Sequence, residues 1–249
     1  KVQAKILSER DKMLMEAEKE KMRANLLRAI SHDLRTPLTS IIGSSTVYLE
    51  NEGRLTNPEK NDLVSHILED SNWMLNMVEN LLSVTRINNE TARVTKSIEP
   101  VEEVLAEAVT RLRKRLPNAK INVKVPEEFL MIPMDAVLIE QVLINLMENA
   151  IVHSNSTEPA ECFVDSTDTE VTFHVKDYGI GISPEKLTTI FDGSTTTSTS
   201  TDGRKGMGIG LSICKTIISA HGGTIHARNH SHGAEFYFSL PKEETNIDA

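Results

Sequence analysis

The feature that most constrains the fold is a change of hydrophobic period near residue 90. Before it, apolar residues recur at three- and four-residue spacing: Leu27, Ile30, Leu34, Leu38, Ile41 and Ile42, then Leu63, Ile67, Met74, Val78 and Leu81. That rhythm lines them along one face of a helix. After it, Val171, Phe173 and Val175, and later Phe236, Phe238 and Leu240, alternate one in two, the period of a strand with one buried face. The run Asn88-Asn89-Glu90-Thr91 separates the two textures, so the chain divides into a helical part and a mixed α/β part. Its 249 residues and 39% apolar content are enough for two cores.

The helical part reads as a hairpin. A first helix runs to Tyr48 or Leu49, Asn51 to Asn57 is turn chemistry, and Pro58-Glu59 suits the first turn of a second helix that ends near Asn88. Ahead of it, Val2, Ile6, Met13 and Ala17 form a thin coiled-coil seam, so residues 1–19 read as an incoming signalling helix continuous with the first, about 70 Å in all. One hairpin cannot bury both wide apolar faces. Two hairpins joined as a four-helix bundle can, which predicts a homodimer. Trp73, Met74 and Met77 are expected to pack. Pro37 removes one helical hydrogen bond and predicts a kink one turn past His32.

In the second part the pattern predicts a helix over 100–115, a strand over 121–125, a helix from Asp135 to Val152 and strands over 161–165, 170–176, 224–228 and 234–240. A helix from Gly210 to His221 completes an α/β sandwich, one sheet covered by helices on one face. The expected division is therefore 1–19, 20–90, a linker over 91–97, 98–241 and a tail over 242–249.

The net charge of −9 excludes a general affinity for nucleic acid, and the longest basic cluster, Arg111 to Arg115, reads as a helix end. Cys162 and Cys214 have neither disulfide nor zinc spacing, which fits a reducing, cytoplasmic compartment. No stretch approaches the roughly 20 apolar residues of a membrane span. Because the chain opens in mid-helix, it is expected to be a portion of something longer.

Four short runs carry chemistry. In Ser31-His32-Asp33-Leu34-Arg35-Thr36-Pro37-Leu38, an imidazole stands beside a carboxylate and ahead of a hydroxyl, just off the apolar stripe. A neutral imidazole can attack phosphorus while the carboxylate holds its other nitrogen protonated. From these residues alone, His32 is either a phosphoryl acceptor or an ordinary solvated side chain. Asn145 and Asn149 stand four apart on one helix, so their amides share a face, as magnesium ligands or as surface residues. Asp177-Tyr178-Gly179-Ile180-Gly181-Ile182 places a carboxylate at a strand end before glycines that admit close approach, or is simply a turn. Gly206-Met207-Gly208-Ile209-Gly210-Leu211 runs into a helix whose bare amides can face phosphate.

With these four motifs in this order, the chain resembles the sensor histidine kinases of two-component systems, with a KdpD-like flavour around Ser31 to Thr39 and Val142 to Ala150. Residues 20–90 resemble the dimerisation and histidine-phosphotransfer domain (HisKA), and residues 98–241 the ATP-binding domain shared with gyrase, Hsp90 and MutL (HATPase_c). The resemblance implies that ATP phosphorylates His32, with Asp33 as its hydrogen-bonding base, and that the group passes to an aspartate of a response regulator's receiver domain. Thr36 would position water for dephosphorylation of that partner. Asn145 and Asn149 would hold Mg2+ and the triphosphate with His153 beside them, Asp177 would accept the adenine amine next to Gly179 and Gly181, and Lys205, Gly206, Gly208 and Gly210 would form the lid loop. A membrane is implied only through an N-terminal sensor region absent from this chain. Two departures stand out. Val152 replaces a usual lysine, for which Arg204 or Lys205 would substitute, and Gly193 to Thr201 is nearly all serine and threonine without the usual aromatic after Phe191. The alternatives are a gyrase-type ATPase, disfavoured because asparagine at 145 cannot serve as a base, and a degenerate kinase acting as a dimeric scaffold.

Overall fold

The computed structural model describes residues 34–88, 94–125, 128–154, 156–192 and 208–242. The chain divides into two compact units, Lys1–Glu79 and Asn80–Ala249. Residues 1–33, with the expected signalling helix, His32 and Asp33, lie outside the described residues.

The first unit is built from helix α1, described over residues 34–51, and from helix α2, Asn57–Asn88, as far as Glu79. α1 runs past the expected Tyr48 or Leu49 to residue 51, where the Asn51 carbonyl accepts from both Arg54 N (2.8 Å) and Leu55 N (3.0 Å) and so closes the turn. α2 opens with a capping box: Glu59 Oε2 accepts from Thr56 N at 2.8 Å and from Thr56 Oγ1 at 2.7 Å. Those bonds to Thr56 hold the Glu59 carboxyl below its usual range. One stripe of the unit is covered, with Pro37 and Met77 buried and Leu34, Ile41, Leu63, Ile67, Trp73 and Met74 half-buried. A second stripe on α2, Val64, Leu68, Leu75 and Val78, is exposed. Its four-and-three spacing is that of a helix–helix seam.

The second unit holds strands β1 (Ser97–Pro100), β2 (Ile121–Lys124), β3 (Met131–Met134), β4 (Ala160–Ser166), β5 (Glu170–Lys176), β6 (Thr224–His230) and β7 (Gly233–Pro241). Its helices are α3 (Val101–Arg115), α4 (Ala136–Val152), the one-turn α5 (Pro184–Leu187) and α6 (Gly208–Ala220). The main sheet has the order β2-β4-β5-β7-β6, with β2 parallel to β4 and the other pairs antiparallel. α4 packs on β4 and β5, α6 on β6 and β7, and α3 on α4. The alternating residues Cys162, Val164, Val171, Phe173, Val175, Phe236, Phe238 and Leu240 fill the core. The intervening positions carry a ladder in which Phe163 stacks on His174 at 4.5 Å and His174 on Tyr237 at 5.7 Å.

Three expectations are corrected. β1 and β3 pair with each other as a separate two-stranded sheet that the pattern did not predict, because four-residue segments containing Pro100 and Pro133 show no alternation to read. Ser97, the last residue of the expected 91–97 linker, already belongs to β1. α6 begins at Gly208, two residues before the expected Gly210, so Gly208 and Gly210 are themselves part of the helix.

α4 is buried almost all round because it is the middle layer between α3, α6 and the sheet. Asp135 caps it, accepting from Leu138 N at 3.2 Å. His221, fully buried at the end of α6, fastens the same point: its Nε2 accepts from Asp135 N at 3.0 Å, and its Nδ1 therefore carries the proton donated to Ile217 O at 2.8 Å. Burial holds the His221 imidazole below its usual pKa and hence neutral.

Candidate functional site

Asn145 lies on the face of α4 that meets α6 and is 5% exposed. Its amide is held from both sides: Gln141 Nε2 donates to Oδ1 at 3.2 Å, and Nδ2 donates to Cys214 Sγ at 3.8 Å. Cys214 is buried one turn after Gly210, with its thiol pushed up to about 12 by desolvation, so it serves as a neutral contact. Asn149, one turn along α4, is half-buried, and His153 is exposed at the C-cap with its backbone N–H on Asn149 O at 3.0 Å. On α6, Gly208 is the first residue, and a Cβ placed on Gly210 would meet nothing within 4 Å. The asparagine and glycine motifs, some sixty residues apart in sequence, thus come together through the α4–α6 packing.

Asp177 follows the last residue of β5 and is 6% exposed. One carboxylate oxygen, Oδ1, accepts from Gly179 N at 3.0 Å and Ala234 N at 3.2 Å. Among the described residues nothing pairs with Oδ2. The loop then presses on the residue just beyond α4: a Cβ on Gly179 would lie 2.0 Å from Ser154 O, and Ile180 N donates to that same oxygen at 3.3 Å. Only glycine allows this approach. Asn145, Asn149, His153, Asp177, Gly179, Gly181, Gly208 and Gly210 therefore all lie on α4, on its C-terminal turn, on the loop pressed there, or on the start of α6.

Thr36 is exposed on α1, in the first unit. Lys205 and Gly206, together with Arg204 and the serine- and threonine-rich run 193–201, lie outside the described residues. Reading by sequence missed Ser154, Gly233, Asn229 and His230. Ser154 and Gly233 supply backbone against which the 177–182 loop rests, a Cβ on Gly233 falling 2.1 Å from Asp177 O. No local signal could have shown this, since strand pairing and the packing of α4 on the sheet bring them there.

Among the described residues no cluster of three or more His, Cys, Asp or Glu could hold a metal. Asn145 and Asn149 offer amide oxygens, hard donors suited to a magnesium ion that draws its remaining oxygens from a phosphate chain and water.

A strand-end carboxylate braced by backbone amides, paired asparagines on the adjoining helix and a glycine-opened helix define a nucleotide-binding α/β sandwich. Comparison with known proteins agrees. Residues 134–244 match the family of histidine kinase-, DNA gyrase B-, and HSP90-like ATPases, and residues 22–90 match the His Kinase A (phospho-acceptor) domain. The chain is 45% identical over 237 residues to the sensor protein KdpD of Clostridium acetobutylicum, covering 94% of this chain and 26% of that protein. It is 35% identical over 235 residues to KdpD of Escherichia coli K12, covering 92% of this chain and 25% of that one. Among solved structures, the catalytic domain of histidine kinase ThkA is 31% identical with a TM-score of 0.53, covering 59% of this chain and 95% of that one. ThkA in complex with the response regulator protein TrrA is 25% identical with a TM-score of 0.69, covering 91% of this chain and 64% of that one. The chain belongs to the sensor histidine kinase family. It spans about a quarter of the length of these two KdpD proteins.

Proposed function

We propose that this chain is the kinase core of a longer sensor protein, which moves the γ-phosphoryl group of ATP to His32 and then to an aspartate of a response regulator's receiver domain. The observation that carries the reading is the pairing, in one chain, of a phospho-acceptor domain spanning His32 with a nucleotide domain that has Asn145 where a hydrolase would need a base. Asparagine cannot take a proton from water, so the site is suited to holding ATP for His32.

Asp33 holds one imidazole nitrogen protonated, which leaves the other lone pair for in-line attack on the γ-phosphorus. In the nucleotide unit, Asp177 accepts the adenine amine through Oδ2, while Gly179 and Gly181 let the base approach the backbone. Asn145 and Asn149 would hold magnesium with the triphosphate, with His153 beside them, and Lys205, Gly206, Gly208 and Gly210 would form the loop that covers the phosphates. Bound magnesium supplies neutralisation of the developing phosphate charge. The exposed stripe Val64, Leu68, Leu75 and Val78 supports pairing of two hairpins as a four-helix bundle, hence a homodimer. The relative solved with a response regulator supports a receiver domain as the second substrate. Thr36, exposed on α1 and four residues after His32 in the sequence, would orient water in the reverse reaction on that regulator.

The test is incubation with labelled ATP and magnesium. Acid-labile, alkali-stable label on the protein, absent from His32→Gln, is expected. Label retained by that variant refutes the reading.

A further inference from the structure

We propose that the β6–β7 hairpin is the positioning device of the base-recognition loop, with Asn229 and His230 holding Asp177 where it can read the exocyclic amine of a purine. The inference rests on the assignment of Asp177 to the adenine amine and goes beyond it, to residues outside all four motifs.

The 177–182 loop leaves the end of β5, whose sheet neighbour is β7, and β6 lies one strand farther out. Two strand spacings are about 10 Å, so β6 reaches the loop through the side chains at its end. Asn229 does so as a substitute peptide group. Its Oδ1 accepts from Ile182 N at 2.8 Å and its Nδ2 donates to Ile182 O at 2.6 Å, so one side chain satisfies both backbone groups that a missing strand would have paired. The contact requires Gly181 to turn at φ +70, with its Cβ position 3.1 Å from Asn229 Oδ1. The other end of the loop is held by His230, whose Nε2 lies 2.9 Å from Asp177 O. A carbonyl only accepts, so Nε2 carries the proton and donates. The Tyr178 ring meets the His230 ring edge-on at 5.6 Å.

Asn229 is exposed and fills no core space, and among the described residues both hydrogen bonds of its side chain go to the loop. The hairpin therefore grips the arc at Asp177 and at Ile182, leaving the residues between them no freedom to drift. Preorganisation of this kind raises affinity only for a ligand that uses the held geometry.

That last property separates positioning from a general structural role. The full chain is titrated by calorimetry with ADP and with inosine diphosphate, which carries an oxygen in place of the exocyclic amine. Loss of two hydrogen bonds to the loop is expected to weaken ADP by about tenfold in Asn229→Ala, while inosine diphosphate changes by less than about twofold, so the preference collapses. Proportional weakening of both ligands, or no change in either, overturns the inference. Asn229→Asp keeps the acceptor for Ile182 N but sets a carboxylate oxygen against Ile182 O, and is expected to match alanine. His230→Gln, which retains a donor at the Nε2 position, is expected to bind ADP as the wild type does, whereas His230→Ala loses the preference; equal loss in both overturns the role of His230. Asp177→Asn is the control. If it leaves the ADP preference intact, the base assignment itself fails, whereas collapse there without collapse in Asn229→Ala refutes the hairpin's role alone.

Discussion

Asp177→Asn is the most informative single substitution, because the structure dictates which way the new amide must face. Oδ1 is claimed by two donors, Gly179 N at 3.0 Å and Ala234 N at 3.2 Å. An asparagine can satisfy both only by placing its oxygen there, which forces its NH2 group into the position of Oδ2. On the proposed adenine contact, an acceptor for the ligand thus becomes a donor. Against adenine this removes a charge-assisted hydrogen bond, about 1.5–3 kcal/mol, and sets donor against donor, about 1–3 kcal/mol more. Together these correspond to roughly a hundredfold to ten-thousandfold weaker ATP binding. The same group facing inosine meets an oxygen, so the variant should prefer inosine diphosphate to ADP. Both loop bonds survive, so the variant should melt cooperatively and keep its oligomeric state. Calorimetric titration with each nucleotide is the assay. ATP affinity within threefold of wild type, or undiminished preference for ADP, would refute the reasoning.

Three other substitutions probe separate links. Gly179→Ala drives a Cβ to within 2.0 Å of Ser154 O, backbone against backbone, and should destabilise the nucleotide unit by about 1–3 kcal/mol while weakening ADP binding; an unchanged urea midpoint contradicts the packing. His221 is buried neutral with its pKa lowered by desolvation, so the unfolded chain binds the extra proton. Stability is full above about pH 6.5 and is lost as pH falls from there toward the lower folded pKa. His221→Asn, which keeps a donor for Ile217 O but cannot titrate, should be less stable near neutrality and lose that component of acid sensitivity; parallel melting curves for the two proteins across the pH range would count against it. Paired Leu68→Glu and Leu75→Glu substitutions place charge in the exposed α2 stripe and should yield a monomer by sedimentation, whereas a persistent dimer shows that another surface joins the chains.

Local chemistry determined much of this protein from sequence alone. The helix Ala136–Val152 was legible because Asp135 suits an N-cap and helix-favouring residues run on from it without Gly or Pro, and β5 and β7 were legible because alternation follows directly from the pleat. The four motifs were legible for a related reason, since each is a short run whose residue types suit one kind of chemistry. Tertiary structure alone decided how the parts of the second unit meet. The pairing of β1 with β3, the parallel seat of β2 beside β4 and the order β2-β4-β5-β7-β6 join segments far apart in the chain, and no periodicity within a segment records its partner. The bracing of Asn145 by Cys214, the backbone of Ser154 under Gly179 and the hold of Asn229 and His230 on the Asp177 loop depend on those pairings and on the packing of α4 against α6 and the sheet. Sequence names the groups that can bind and react; only the long-range packing sets the distances and orientations in which they do so.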